Sequence, residues 1–251
     1  MEANNQSFFY NCFYSMDSDP KDILTFFSKH LPRRCGAGKL AIADIGCGTG
    51  RMTGLFAGIG HDVTGYEPDG NYYMEAKKLE CENIRVENKG FLEIDEDSRY
   101  DAMLAVNGPF EYLLTPDDRS EALRRCNRAL KPGGIVFIEA VNFLLILKNF
   151  KPMEDETVEF ENSRVVKRSR HEFDFAADTM THYDYFEHYR DGKMVEKADK
   201  THRFGMFSLS ELEFLLKLNG FGEIEHFNSY GGDTPEKPND YRIRVSARKA
   251  E

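Results

Sequence analysis

The chain has 251 residues, 43 acidic and 33 basic side chains, a formal charge of −10, and 41% hydrophobic residues. That apolar content excludes wholesale disorder, and the acidic balance argues against nucleic-acid binding, which needs clustered Lys and Arg on the phosphates. No apolar tract reaches the roughly 18 residues that cross a bilayer; the run at 143–147 is closed by Asn142 and Lys148.

The polar start, residues 1–7 with Glu2, does not read as a signal peptide. An aromatic cluster follows (Phe8, Phe9, Tyr10, Phe13, Tyr14), and then a helical stretch whose apolar face is Ile23, Leu24, Phe26, Phe27 and Leu31. Pro32 and the glycines at 36 and 38 are expected to stop it. Residues 40–45 read as a buried strand entering the turn Asp44-Ile-Gly-Cys-Gly-Thr-Gly50. A short helix, a strand over 61–66 ending at Glu67-Pro68, a helix over 70–81 and strands over 83–88 and 100–106 come next. Thr115, Pro116 and Asp118 form a capping-box start for a helix that Lys131-Pro-Gly-Gly134 ends, before a strand over 135–141. Strands separated by helices of this length imply right-handed crossovers and a largely parallel sheet, an α/β fold.

From about residue 151 to 207 the period changes to two, with turn signals at 161–163, 177–179 and 190–192. Antiparallel strands with one wet face are expected. A capping box at Ser208 to Glu211 restarts a helix, and two strands, at about 222–228 and 241–248, close the chain across a Gly/Pro-rich loop. The chain therefore divides into an N-terminal helical lid (1–39), a core (40–150 and 208–251) and an inserted antiparallel β layer (151–207). The cysteines at 12, 35, 47, 81 and 126 form no CxxC, so reduced thiols in the cytoplasm are expected and a metal site is not.

The glycine-rich turn lies where a parallel sheet presents its carboxyl ends to ligands. Gly46, Gly48 and Gly50 let the backbone come close to a ligand, and the helix from Arg51 offers unpaired N–H groups. A dinucleotide fingerprint would need glycine at 51, and a Walker loop would need a Gly-Lys-Ser/Thr ending; neither is present. Glu67, just past the second strand and 21 positions after Gly46, can accept hydrogen bonds from both hydroxyls of a ribose.

The string from Asp44 to Gly50, Glu67, the strand Tyr100-Asp-Ala-Met-Leu-Ala-Val-Asn107 and the stretch Arg128-Ala-Leu-Lys-Pro-Gly-Gly134 together resemble the class I S-adenosylmethionine-dependent methyltransferases. The resemblance implies a Rossmann-like, mostly parallel seven-stranded sheet with an antiparallel last strand, S-adenosylmethionine as cofactor and S-adenosylhomocysteine as product. It implies that Gly46, Cys47, Gly48 and Gly50 line the methionine end, that Asp44 braces the loop or meets the amino group, and that Glu67, with Pro68 beside it, binds the ribose. Gly90 and Phe91 would border the adenine, without the acidic residue many members place there, and Asn107 would pass under the sulfonium. The inserted layer and aromatic N-terminus look like those of small-molecule methyltransferases, among them amino-deoxysugar N-methyltransferases, in which a lid tyrosine reaches the cofactor; Tyr14 or Tyr10 could do so here.

Methyl transfer is an in-line displacement, so the protein must position the acceptor and, where the nucleophile is protonated, provide a base. His171, His182, His188 and His202 fall in the inserted layer; His182 and His188 share a face with Asp184 and Phe186 on an unbroken strand. His182, His188 and Tyr14 are thus the catalytic candidates. The expected function is methyl transfer to nitrogen or oxygen of a small-molecule acceptor, with no nucleic-acid or membrane partner and a homodimer allowed; the alternative is an inactive cofactor-binding module.

Overall fold

The structure is a computed structural model that describes residues 6–13, 19–231 and 240–250. Its centre is a seven-stranded sheet in the order β10-β11-β5-β4-β1-β2-β3. Here β1 is Ala41–Ile45, β2 Asp62–Tyr66, β3 Ile84–Glu87, β4 Tyr100–Ala105, β5 Leu130–Val141, β10 Phe221–His226 and β11 Arg242–Lys249. The strands β3-β2-β1-β4-β5 pair in parallel, while β11 runs antiparallel to both β5 and β10. The expected α/β sheet with its antiparallel last strand is present, and β11 lies between β5 and β10 rather than at the sheet edge.

Helices cover both faces. On one side α2 (Pro20–Cys35) and α3 (Arg51–Gly58) bury Ile23, Phe27 and Phe56 against Ile42, Leu104 and Phe137. On the other, α5 (Pro116–Ala129) and α7 (Leu209–Leu218) bury Leu123, Cys126, Leu212 and Leu216 against Met103, Val136 and Val245. Such strands, apolar toward both layers, read as continuous hydrophobic runs.

Local signals are mostly used as the sequence suggests, with three corrections. Pro32 does not stop α2, which continues to Cys35 and ends where Gly36 N–H donates to Pro32 O. The helix expected over 70–81 is α4, Gly70–Ala76, followed by a 3₁₀ turn at Lys77–Leu79. Glu80 then accepts the Val86 N–H at 3.1 Å, which turns the chain toward β3. The Lys131-Pro-Gly-Gly134 stretch is not a loop before β5 but part of it: the pairing slips between Tyr100 and Ala102, and Gly133 takes φ +74° at the irregularity.

The insertion is a four-stranded antiparallel meander, β6 (Met153–Phe160), β7 (Ser163–Asp174), β8 (Thr179–Arg190) and β9 (Lys193–Gly205). Left-handed residues turn it at the expected places, Glu161, Asp178 and the Asp191-Gly192 pair. A short helix α6 (Phe143–Lys148) leads into it, and α1 (Gln6–Phe13) packs Phe9 and Phe13 against Val165 and Phe186 on its inner face. The end of the meander packs tightly on the core. A Cβ on Gly205 would lie 2.5 Å from Leu113 O, so only glycine lets the end of β9 come this close. Next to it the buried Arg119 pairs with Glu211 at 2.8 Å and donates to Leu113 O at 2.8 Å. This use of Glu211 also corrects the expected capping box, since the Ser208 hydroxyl accepts Glu211 N–H but the carboxylate goes to Arg119. Among the described residues no helix is long and apolar enough to cross a membrane.

Candidate active site

A cavity of about 570 Å³ opens at the carboxyl ends of β1, β2 and β4 and is covered by the inserted sheet. Its size lies within the range of roughly 300–1,000 Å³ usual for small-molecule sites.

The floor is the glycine turn. Gly46 and Cys47 both donate their N–H to Tyr66 O, at 2.8 and 3.0 Å, and this folds the chain back over β2. Gly46 has φ +67°, and a Cβ there would run into the Pro109 ring. Gly48, at φ +59°, donates its N–H to Glu67 Oε2 at 2.8 Å, while Asp69 N–H binds Oε1 at 2.8 Å. Glu67 thus ties the loop after β2 to the loop after β1, and each of its oxygens keeps acceptor capacity toward the cavity. Burial pushes its carboxyl pKa up, against the backbone N–H groups of Asp69 and Gly48. Gly50 does not line the cavity. It is the left-handed N-cap of α3, packed so closely on Leu79 and Ala76 that a Cβ would lie 2.6 Å from Leu79 Cδ1.

Asp44, at the end of β1, is buried and accepts the Thr53 hydroxyl at 2.6 Å. Desolvation raises its pKa to about 6, although Thr53 and Arg51 favour the charged form. On the next wall Gly90 and Phe91 follow β3; Phe91 is buried, edge-to-face with Phe110 at 5.5 Å. Glu93, two residues on, also lines the wall, and its carboxylate accepts Gly90 N–H at 2.7 Å. An acidic residue is therefore present on this wall, displaced from the position where the sequence reading missed it. Asn107 has φ +64°, a strained conformation for a residue other than glycine, and its N–H is held at 2.9 Å by the buried Glu139. Glu139 is itself paired with Arg244 at 2.9 Å and accepts the Tyr230 hydroxyl at 2.9 Å.

The roof brings side chains the sequence reading did not select. Tyr112, in the turn Pro109–Tyr112 after β4, shares a 2.6 Å hydrogen bond with His202 Nδ1 from β9, and both line the cavity. Lys200, two residues earlier on β9, donates to the Tyr72 hydroxyl at 2.7 Å and to Asp69 Oδ2 at 3.4 Å, with its ammonium over the Tyr72 ring. Asp69 is the N-cap of α4, a role readable from the Glu67-Pro-Asp-Gly70 string. Burial lowers the pKa of Lys200, and burial together with Lys200 lowers that of His202 to about 4.

The two histidine candidates are not brought together. His182 stands behind His202, off the cavity wall, 3.0 Å from Asp184 Oδ1. His188 shares its face of β8 but lies six residues, about 20 Å, farther along the strand. There it packs against Phe8 and Phe160 and meets the Ser163 hydroxyl at 3.3 Å. Tyr14 lies outside the described residues, as does the Tyr10 side chain.

Residues 42–134 match the methyltransferase domain family. The putative methyltransferase YqeM of Bacillus subtilis is 24% identical over 212 residues, covering 83% of this chain and 84% of that protein. Two solved structures share the fold along nearly the whole chain. An S-adenosylmethionine-dependent methyltransferase from Clostridium acetobutylicum has a TM-score of 0.83 at 16% identity, covering 99% of each chain. The S-adenosylmethionine-bound amino pentose methyltransferase CalS10 from Micromonospora echinaspora has a TM-score of 0.78 at 16% identity, covering 97% of each. The residues present fit that cofactor: Gly46 has no room for a side chain, Glu67 offers a buried carboxylate beside the turn, and Phe91 lines the next wall. Residues 42–134 thus match a methyltransferase domain, and the chain around them shares its fold with S-adenosylmethionine-dependent methyltransferases.

Proposed function

We propose that the protein transfers a methyl group from S-adenosylmethionine to a nitrogen or oxygen of a small molecule. The observation that carries the acceptor class is the roof: the inserted sheet closes over the cavity and is fixed to the core at Gly205 and at the Lys200–Asp69 pair. The space so enclosed suits a compact acceptor rather than a polymer. The similarity to an amino pentose methyltransferase supports the same reading.

When bound, the cofactor supplies a methyl carbon made electrophilic by the sulfonium. Glu67 would hold the ribose, Phe91 would pack on the adenine, and the loop from Gly46 to Gly48 would carry the methionine end. Asp44 would meet the ammonium of the methionine moiety, and Arg51, at the start of α3 on the same wall, its carboxylate. The chain's own task is then to keep the acceptor about 3 Å from the methyl carbon, opposite sulfur, and to exclude water. A cytoplasmic location fits the five unpaired thiols.

The test is calorimetry with S-adenosylmethionine, followed by assay of S-adenosylhomocysteine release with 3-amino-3-deoxyglucose, glycine and catechol as acceptors. Micromolar binding and turnover of one of the three are expected. Binding without turnover of any would favour a module that keeps the cofactor pocket but not the chemistry. No binding at millimolar concentration would remove the proposal.

A further inference from the structure

Methylating a hydroxyl at neutral pH leaves a proton to be removed, and the carboxylates of the floor, Asp44 and Glu67, are engaged by Thr53 and by backbone N–H groups. The described part of the cavity wall holds one imidazole, His202, and its Nδ1 is engaged by a phenol on the same wall. The pairing is imposed by the fold. Tyr112 ends the turn that follows the strained Asn107-Gly108 step, and Gly205 presses β9 onto residues 113 and 114 only three positions beyond His202. Phe204 supports both rings, edge-on to Tyr112 at 5.0 Å and stacked with His202 at 5.8 Å.

Behind the pair lies a row that the register of the meander creates. His171 is opposite His182 across β7 and β8, and His182 is opposite His202 across β8 and β9. The ring centroids are 4.3 and 6.4 Å apart. Asp184, fully buried two residues along β8, lies 3.0 Å from His182 Nε2 and accepts the Ser169 hydroxyl at 2.6 Å. Burial lowers the pKa values of His171 and His202, and Asp184 offsets part of that shift.

We propose that Tyr112 and His202 form a catalytic dyad that takes the proton from a hydroxyl acceptor, a role that rests on the methyl-transfer reading above. As the acceptor's lone pair forms the new bond to carbon, the carbon–sulfur bond breaks and leaves its electron pair on sulfur. The acceptor's O–H proton passes to the Tyr112 oxygen, while the Tyr112 proton passes to His202 Nδ1. The products are the methylated acceptor, a neutral thioether and an imidazolium, which then releases its proton to solvent. The groups facing His202 are Tyr112 from the turn after β4, Lys200 on its own strand, His182 and Asp184 on β8, and Lys167 on β7. Burial and the two lysines outweigh Asp184, so the imidazole is neutral and ready to accept at pH 7. Its weak basicity suffices for a hydroxyl acceptor, whose proton becomes strongly acidic as oxygen gains positive charge in the transition state.

The test uses the full chain with S-adenosylmethionine and the panel of aminosugar, glycine and catechol. Tyr112→Phe and His202→Gln should each lower kcat on the methylated hydroxyl acceptor about 100-fold. They should leave cofactor Kd within about twofold, and the double variant should lose no more than either single. Nitrogen NMR of the full chain, free and with S-adenosylhomocysteine, gives a readout independent of turnover: His202 neutral at pH 7 with Nδ1 hydrogen-bonded, a signature that Tyr112→Phe abolishes. Full turnover in either variant, additive losses, or an Nδ1 signature indifferent to Tyr112→Phe would overturn the dyad. If the wild type binds no cofactor or methylates none of the panel, the methyl-transfer reading falls first, and the NMR result alone decides the pairing.

Discussion

On the floor of the cavity the functional groups are mostly backbone: the N–H of Gly46 and Cys47 on Tyr66 O, the N–H of Gly48 on Glu67, and the left-handed step at Asn107. On the roof they are side chains carried by one strand, Lys200 and His202, aimed at Tyr72, Asp69 and Tyr112. The difference lies in what each region tolerates. At Gly46 a Cβ would meet the Pro109 ring, so the floor tolerates no side chain at that position. Side chains on a strand can be exchanged without altering the ladder beneath them, so the roof can be rebuilt for a new acceptor while the cofactor stays where it is.

The sharpest way to break that contrast is Gly46→Ala. The new Cβ meets the Pro109 ring at a φ of +67°, so strain and overpacking add. A loss of about 2–4 kcal/mol in stability is expected by urea denaturation, with cofactor binding reduced at least as strongly by calorimetry. A stable variant with normal affinity would mean the floor is not fixed by its glycines. Glu67→Ala comes next. It leaves the N–H groups of Gly48 and Asp69 without their acceptor and removes the proposed ribose contact. Cofactor affinity should fall by about 1–3 kcal/mol, and Glu67→Gln, which keeps one carbonyl oxygen, should lose less. Unchanged affinity in Glu67→Ala would reject the ribose assignment.

Asp44 sharpens the comparison through pH. Its pKa is raised by burial from the ordinary 3.8 to about 6, so in the cofactor-free protein ionisation costs stability. That contribution is full below about pH 4 and is lost as pH rises through 6. If the ammonium of the cofactor meets Asp44, it favours the ionised form, and binding releases a proton between those two values. Affinity should therefore weaken as pH falls below 6, by up to about tenfold per unit, and calorimetry in buffers of different ionisation enthalpy should detect the released proton. A pH-independent affinity from 5 to 7 would leave Asp44 as a brace for Thr53 alone.

The two regions also differed in how far they could be read from the sequence. The succession of strands and helices, the loop from Asp44 to Gly48 and Glu67 at the end of β2 follow from hydrophobic runs and glycine spacing, which act over a few residues, whereas the seven-stranded sheet with its antiparallel last strand followed from the resemblance. Period two likewise gives the face of β8, and it put His182 and His188 on one side correctly. It says nothing about distance along the strand, so two residues about 20 Å apart looked like partners. His202, whose row is fixed by the lengths of two turns, reaches the cavity instead. Tyr112 and Lys200 gave no local signal, because each acquires its role only when β9 is laid across the turn after β4. Gly50 is different again: it packs on Leu79 and Ala76 away from the cavity wall, and those contacts already require a glycine there.

The smallest expected effect separates roof from floor most cleanly. Lys200→Met keeps the length of the side chain and removes the ammonium that joins β9 to Tyr72 and Asp69. Asp69 continues to cap α4 through the N–H groups of Asn71 and Tyr72, so the floor keeps its own hydrogen bonds. The ion pair is partly exposed, and about 1 kcal/mol or less of stability should be lost. Hydrogen exchange should rise in β9 and the adjacent part of β8, while the amides of Gly46 to Gly48 remain as protected as in the wild type. Cofactor affinity should then change by a few-fold at most, because the groups proposed to hold the cofactor lie on the other side of the cavity. Faster exchange in the glycine turn as well would mean that floor and roof open as one unit, and that an exchange of roof residues could not leave cofactor binding untouched.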